Sequence, residues 1–144
     1  IFENFKFFKD ISMSNVYFVS NIISVMSEYI CYKNDVLICE GQNVEEVLFI
    51  KEGVLSLNIS YKDQYINIIT LSKYEHFGDS LMILNQPSFL EVKVKSNNCR
   101  LMILKKFDLL TILLNYSKIN SKIFKKSTQN LEIINRKVEE VKLL

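Results

Sequence analysis

The stretch that decides the fold is residues 77–92, with the sequence FGDSLMILNQPSFLEV. It interrupts a series of predicted β-strands with a short helix-like insert, and Pro87 then leads into the next strand. Glycine and proline are scarce, with 3 Gly and 1 Pro in 144 residues. Because glycine adopts positive φ and permits close approach of the backbone to a ligand, Gly78 indicates a tight turn or such an approach.

The segments around this stretch are short and rich in Ile, Val, Leu, Tyr and Phe, with turns every 8–12 residues, which is typical of antiparallel strands. They cover residues 28–40, 44–51, 54–60, 64–71, 90–96 and 99–104, with breaks at Asn34-Asp35, Gly41-Gln42, Gly53 and Lys62-Asp63. We expect the last two segments to form a hairpin over Asn97-Asn98. The middle of the chain is therefore predicted to be an all-β sandwich or roll.

Helical periodicity marks both ends of the chain. Residues 1–12 predict an amphipathic helix with Phe2, Phe5 and Phe8 on one face, and Ser12 or Ser14 can cap the helix that follows. The apolar positions of that second helix are Val16, Val19, Ile22, Ile23 and Met26.

After Lys105, a first predicted helix carries Phe107, Leu110, Leu113 and Leu114 and breaks near Asn115. A second one, from about residue 118, has an apolar seam at Phe124, Ser127, Leu131, Ile134, Val138 and Val141. The predicted fold is mainly β, an antiparallel, jelly-roll-like β-roll with an N-terminal helix and two C-terminal helices. We divide the chain into an N-terminal helical segment (residues 1–27), a β-roll (28–104) that contains the helix-like insert 77–92, and the C-terminal helices (105–144).

Composition excludes several function classes. A formal net charge of +2 is too mild for a nucleic-acid footprint, and no apolar run approaches the roughly 18 residues of a membrane span. Cys31, Cys39 and Cys99 are expected to be reduced core residues of a cytoplasmic protein. With His76 as the single histidine, neither a metal site nor a catalytic triad is supported, so we expect no enzyme and no cofactor. The chain starts at Ile1 without Met, so we expect it to be part of a longer protein.

The stretch from Phe77 to Val92 resembles the phosphate-binding cassette of the cyclic nucleotide-binding domain family, F-G-E-x-A-L followed by P-R-x-A-[TS]-V. Residues 41–53 (GQNVEEVLFIKEG) are similar to the family's G-[DE]-x-x-x-x-x-[FY]-[FI]-I-x-x-G segment. All three glycines fall on family glycine positions, and Pro87 falls on the cassette proline. The resemblance covers nearly the whole chain and implies the β-roll fold.

The resemblance also implies a pocket whose chemistry is largely lost. Asp79 replaces the glutamate that accepts the ribose hydroxyl, and Ser88 replaces the arginine that pairs with the phosphate. Leu81, Phe89 and Leu90 replace small residues, and Glu91 replaces a hydroxyl residue that meets guanine in many cGMP-selective members. We expect cAMP or cGMP binding to be weaker by about three to six decades. The implied pocket residues are Phe77, Gly78, Asp79, Ser80, Leu81, Pro87, Ser88, Phe89, Glu91 and Val92.

Another basic group could replace the arginine, but Lys93 and Lys95 are expected on the outer face of their strand, and Arg100 is expected at the sheet surface. The lysine pairs 105–106 and 125–126 are expected on solvated helix faces. His76 is interpreted as a turn residue, with a pH-sensitive neighbour of the pocket as its functional alternative.

Four functions follow from these observations. The first is a non-catalytic regulatory domain of a larger kinase-type or channel-type signalling protein, with impaired nucleotide binding and interdomain contacts through its C-terminal helices. The second is a working cAMP or cGMP sensor with a non-standard phosphate partner. A DNA-binding regulator would need a helix-turn-helix after the long helix, and a cupin-like enzyme would need a histidine cluster.

Overall fold

Two antiparallel four-stranded sheets form the middle of the chain, with helices at both ends. The computed structural model describes residues 2–11 and 15–143. A 3-10 turn, Phe2–Asn4, precedes helices α1 (Lys6–Ile11) and α2 (Val16–Val25). The strands are β1 (Ser27–Tyr32), β2 (Val36–Ile38), β3 (Glu46–Glu52), β4 (Leu55–Tyr61), β5 (Gln64–Leu71), β6 (His76–Phe77), β7 (Glu91–Val94) and β8 (Asn98–Lys105). Helix α3 (Asp79–Ile83) lies between β6 and β7, and α4 (Lys106–Leu113) and α5 (Ser117–Lys142) follow β8.

The strand order is β1-β8-β3-β6 in one sheet and β2-β7-β4-β5 in the other. This topology confirms the predicted antiparallel β-roll with flanking helices. In β3, four consecutive residues from Val47 to Ile50 are buried, so both faces of this strand are covered. Helix α1 covers the face that carries Phe49, whose ring centroid lies 5.8 Å from that of Phe5 and 5.3 Å from that of Phe7.

The hairpin predicted over Asn97-Asn98 is wrong, because β7 and β8 belong to different sheets. The backbone N–H of Lys95 donates to the carbonyl of Val54 at 2.9 Å. The Ser96 hydroxyl accepts from the Val54 N–H at 2.9 Å and donates to the Asn98 carbonyl at 2.7 Å. These bonds hold the chain where it crosses from one sheet to the other, and Asn98 is already the first residue of β8.

The N-terminal helical segment differs in detail from the prediction. Phe5, Phe7 and Phe8 are buried, whereas Phe2 is only half-buried, because the 3-10 turn and the helix from Lys6 replace the single continuous helix that was expected. Residues 1 and 12–14, which include the predicted caps Ser12 and Ser14, lie outside the described part.

Helix α2 begins with an N-cap at Asn15, whose side-chain oxygen accepts from the Phe18 N–H at 3.0 Å. Phe18 and Ile22 form its buried face. The prediction that Val16 faces the core is wrong, because this side chain is exposed.

The two C-terminal helices are confirmed, with the break between Leu113 and Ser117. The predicted seam of α5 is correct at Ser127, Leu131 and Val138, which are buried, and wrong at Phe124, which is 54% exposed. Ile123 takes the place of Phe124, because a spacing of four residues from Ser127 keeps it on the same face of a 3.6-residue helix.

Several tight turns place residues other than glycine in the left-handed region. Lys62 and Asp63 have φ of 52° and 63° between β4 and β5, the combination of a type I′ hairpin turn. Asn34 (74°), Tyr74 (75°) and Asn85 (54°) also have positive φ. In residues 2–11 and 15–143, no helix is both long and apolar enough to cross a membrane.

Candidate ligand-binding site

A cavity of about 150 Å³ lies between the cassette, strands β4 and β5, and the middle of α5. Six of the implied pocket residues line it: Phe77, Gly78, Asp79, Ser80, Leu81 and Phe89. The sheet contributes Leu57, Ile69 and Leu71, and α5 contributes Asn130, Leu131, Ile133 and Ile134. Lys6 of α1, Glu75 and His76 complete the lining. Both terminal helical segments therefore meet the cassette at this cavity.

Gly78 fixes the backbone at the entrance to α3. Its φ is 113°, and a β-carbon at this position would lie 2.6 Å from the carbonyl oxygen of Glu46. The close approach to β3 therefore needs glycine, for the reason that the sequence indicated. The Gly78 carbonyl accepts from the Met82 N–H at 3.0 Å, which starts the short helix directly after the glycine.

By the resemblance, Asp79 stands where the family has its ribose-binding glutamate, and both of its carboxylate oxygens have partners within the protein. His76 Nε2 lies 3.3 Å from Oδ1, and the Ser127 hydroxyl donates to Oδ2 at 3.5 Å. Burial of the carboxyl works to raise its pKa, but the His76 side chain and the backbone N–H groups of Ser80 and Asp79 outweigh it, so the pKa of Asp79 lies below its usual value. The carboxylate thus joins β6, α3 and α5.

The prediction that His76 is a turn residue is wrong. It belongs to β6, and its side chain is only 6% exposed. Its ring stacks on Phe49 with centroids 5.7 Å apart and meets the edge of Phe7 at 5.4 Å. Nδ1 is buried without a hydrogen-bond partner among the described residues. His76 is therefore a buried neighbour of the cavity and of Asp79.

By the resemblance, Ser88 stands where the family has its phosphate-binding arginine, and its hydrogen bonds close the cassette loop. The hydroxyl donates to the Leu90 carbonyl at 2.7 Å and accepts from the Leu90 N–H at 3.2 Å. The Ser88 N–H donates to the Gln42 carbonyl at 2.8 Å, and the Ser88 carbonyl accepts from Gly41. The side chain is buried, its hydroxyl donates its single proton to Leu90, and it is not part of the cavity lining.

Three further residues of the implied pocket also lie outside the cavity lining. Glu91 accepts from the Asn58 side chain at 3.2 Å, across the β4–β7 pair. Val92 is buried between the sheets, and Pro87 forms an isolated bridge with Asn43. These residues shape the strand and the loop rather than the cavity wall.

The candidate replacements for the arginine point elsewhere. Arg100 Nε donates to Glu28 at 3.0 Å, and this bond holds the pKa of the Glu28 carboxyl below its usual range. Lys93 alternates with the buried Val92 and Val94, and Lys95 is exposed, as expected from the pleat. The lysine on the cavity wall is Lys6, which the sequence analysis missed because only tertiary packing brings α1 to the cassette.

The cysteines take no part in the cavity lining. All three are free; Cys31 and Cys99 are buried opposite each other on β1 and β8, whereas the prediction of a core position for Cys39 is wrong, because it is exposed. Burial, with smaller contributions from Cys99 and Asp35, raises the pKa of Cys31 to about 12. Within the described ranges, no group of three or more His, Cys, Asp or Glu residues could hold a metal ion.

A family model for the cyclic nucleotide-binding domain matches residues 31–116. No curated relative matches the sequence. The regulatory domain of Toxoplasma gondii PKA with cAMP is similar, with a TM-score of 0.73 at 12% identity over 88% of this chain and 47% of that one. The structure of cAMP-bound PfPKA-R has a TM-score of 0.76 at 17% identity, over 96% of this chain and 44% of that one. The N-terminal domain of a transcriptional regulator from Streptomyces coelicolor A3(2) has a TM-score of 0.69 at 17% identity, over 86% of this chain and 89% of that one.

The chain spans less than half the length of the first two of these structures, and identities this low show a shared fold alone. The family match, in contrast, covers more than half of the sequence and includes the cassette. The segments that carried the resemblance, residues 41–53 and 77–92, both lie inside the matched range. The chain therefore belongs to the cyclic nucleotide-binding domain family.

Proposed function

We propose that this chain is a non-catalytic regulatory domain of a larger signalling protein of the kinase or channel type, whose own cavity binds cAMP and cGMP weakly or not at all. The observation that carries the proposal is the state of the two decisive cassette positions. Asp79 is engaged by His76 and Ser127, and the Ser88 hydroxyl bonds to Leu90 instead of facing the cavity.

The energetic argument rests on the phosphate. A cyclic phosphate carries a negative charge that a buried arginine would balance, and losing one partner of such a pair costs about 2–5 kcal/mol. That cost corresponds to between one and four decades in Kd at about 1.4 kcal/mol per decade. A ribose hydroxyl would in addition have to compete with Ser127 and His76 for the Asp79 carboxylate.

The proposed output runs through the C-terminal helices. Helix α4 is apolar on both faces: Leu109 and Leu113 are buried, whereas Phe107, Leu110 and Leu114 are exposed on the opposite side at a helical spacing of three and four. An exposed apolar face of this kind supports contacts with a neighbouring domain. We place the domain in the cytoplasm, where its three free thiols would stay reduced.

Calorimetric titration of the chain with cAMP and with cGMP tests the proposal. We expect no saturable binding at micromolar concentrations of either nucleotide. A thermal melt at the same concentrations is the check, because a ligand at 100 times its Kd stabilises a protein by about 2.7 kcal/mol. Saturable micromolar binding by a chain that melts cooperatively would contradict the proposal.

The second candidate, a working sensor, is favoured by one observation, the presence of Lys6 in the cavity lining. If Lys6 replaces the arginine, Lys6→Ala abolishes nucleotide binding. Lys9→Ala is the matched control, because Lys9 is an exposed lysine of the same helix outside the lining. Equal binding by both variants would exclude Lys6 as the phosphate partner.

A further inference from the structure

The walls of the cavity are mainly apolar. Strands β4 and β5 and the cassette supply aliphatic and aromatic side chains, and α5 closes the space with a leucine and two isoleucines. Leu57, Phe77 and Leu131 are themselves buried, so these walls are fixed by the packing of the core. Such a lining favours an apolar ligand, because the ligand loses water contact without having to replace strong hydrogen bonds.

The charges around the cavity do not favour an anion. Among the lining residues, Lys6 is the one permanent cation, and the same lining contains two carboxyl side chains, Glu75 and Asp79. The Asp79 carboxylate is held in its charged form by His76. A ligand with a negative charge gains no net attraction from this set, whereas an uncharged ligand is not penalised by it.

Size narrows the ligand class further. A cavity of about 150 Å³ lined by Leu, Ile and Phe side chains is known to stay dry and to bind benzene, and the cavity here has the same volume, about 150 Å³. Besides Lys6 and the acidic and imidazole groups, the polar side chains on its walls are those of Asn130 and Ser80, which can hydrogen-bond to a ligand.

We propose that the cavity binds a small, uncharged aromatic molecule of the size of benzene to indole in place of a cyclic nucleotide. The inference concerns the same cavity as the proposed function and rests on one step of it, that Ser88 supplies no charge for a phosphate. It adds a ligand class that contacts the sheet, the cassette and α5 together, so that occupancy stabilises α5 on the roll.

Indole is the probe, titrated against the chain by calorimetry and by chemical-shift changes in a ¹H–¹⁵N spectrum, with cAMP titrated separately. We expect saturable binding of indole that is at least tenfold tighter than any binding of cAMP. We also expect indole to raise the melting temperature in proportion to its occupancy.

Two matched variants of α5 test the location. Ile133 is 50% exposed and lines the cavity, whereas Phe124 is 54% exposed and lies outside the lining. Ile133→Asp places a carboxylate at the rim without removing a core residue, so we expect it to weaken indole binding at least tenfold. Phe124→Asp carries the same change on the same helix and should leave the affinity within twofold.

The outcomes separate this inference from the proposed function. Absence of saturable indole binding to a folded chain overturns the inference, and a simultaneous absence of cAMP binding leaves the proposed function standing. Indole binding that Ile133→Asp does not weaken also overturns the inference, because the site is then elsewhere. Micromolar cAMP binding contradicts the proposed function, and indole binding at least tenfold weaker than cAMP binding would overturn the inference as well.

Discussion

At the scale of the residue, Asp79 is the point where three elements are joined. Its carboxylate is buried and accepts from His76 on β6 and from Ser127 on α5, while its own backbone begins α3. A hydrogen bond to a charged group contributes about 1.5–3 kcal/mol to stability, more than the roughly 1 kcal/mol of a neutral one. In the family the corresponding carboxylate serves a ligand, whereas here its partners belong to the protein.

Asp79→Asn should therefore lower the free energy of unfolding at neutral pH by about 1.5–3 kcal/mol. Urea denaturation of the variant beside wild type measures this. Asp63→Asn is the control, because Asp63 is exposed in the β4–β5 turn, and it should change the stability by less than about 0.5 kcal/mol. Equal stabilities of the two variants would show that the buried carboxylate contributes nothing.

The difference in unfolding free energy between wild type and Asp79→Asn should depend on pH. The folded pKa of Asp79 lies below its usual value, so its stabilising effect is fully present above a pH of about 3.9 and is lost as the pH falls through the lower, folded value. The stability difference between wild type and Asp79→Asn should shrink below about pH 4. A difference that grows on acidification would mean that the shift has the opposite sign.

Gly78 and Gly41 offer a second test at this scale. Both have positive φ, but a β-carbon at Gly78 would meet the Glu46 carbonyl at 2.6 Å, whereas one at Gly41 would meet nothing within 4 Å. Gly41→Ala should cost about 1–2 kcal/mol from the left-handed conformation alone, and Gly78→Ala should cost clearly more. Chemical denaturation compares the two, and equal costs would refute the close approach.

At the scale of the element, α5 packs one face on the rest of the molecule and presents the other to solvent. Its inward face, with Leu131 and Ser127, closes the cavity and reaches the cassette helix, while its outward face is polar apart from Phe124 and Ile133. Leu131→Ala should destabilise the protein by about 2–5 kcal/mol, as a buried leucine that leaves a cavity does.

The matched change Phe124→Ala removes a larger side chain from the same helix but from its half-exposed side. It should cost less than Leu131→Ala. Hydrogen exchange of the α5 amides is the second measurement, and faster exchange in Leu131→Ala alone would show that this face holds the helix on the roll. If Phe124→Ala were the more damaging change, the seam as the sequence predicted it, through Phe124, would be the correct one.

The elements also show what the sequence could predict. Periodicity predicted an all-β sandwich or roll, the break near Asn115 and most of the α5 seam, because these depend on local spacing. It wrongly placed β7 and β8 in one hairpin. Their adjacency along the chain does not reveal that the segment between them, held by the Ser96–Val54 hydrogen bond, crosses to the other sheet. It did not predict that His76, Lys6 and Ser127 lie near one another, because no local pattern indicates that β6, α1 and α5 meet at one cavity.

At the scale of the whole molecule, the free thiols report on the integrity of the fold. Cys39 is exposed, whereas Cys31 and Cys99 are buried between paired strands, and the pKa of Cys31 is raised to about 12. At pH 8 a thiol reagent should label Cys39 rapidly and the other two only after unfolding, because the thiolate is the reactive form. Mass spectrometry of native and denatured samples measures this. Rapid native labelling of Cys99 would contradict the burial of the β1–β8 pair.

The turns of this molecule have a consequence for its robustness to mutation. Lys62 and Tyr74 adopt left-handed backbone conformations, with φ of 52° and 75°, that cost about 1–2 kcal/mol each for a residue with a β-carbon. These costs are already contained in the net stability of a domain, about 5–15 kcal/mol, and each is a sizeable fraction of it. A substitution that relieves one of these conformations would therefore enlarge the stability reserve of the chain against destabilising substitutions. Glycine at position 62 would widen that reserve, whereas glycine at position 74 would remove a ring that packs edge-on against Phe5.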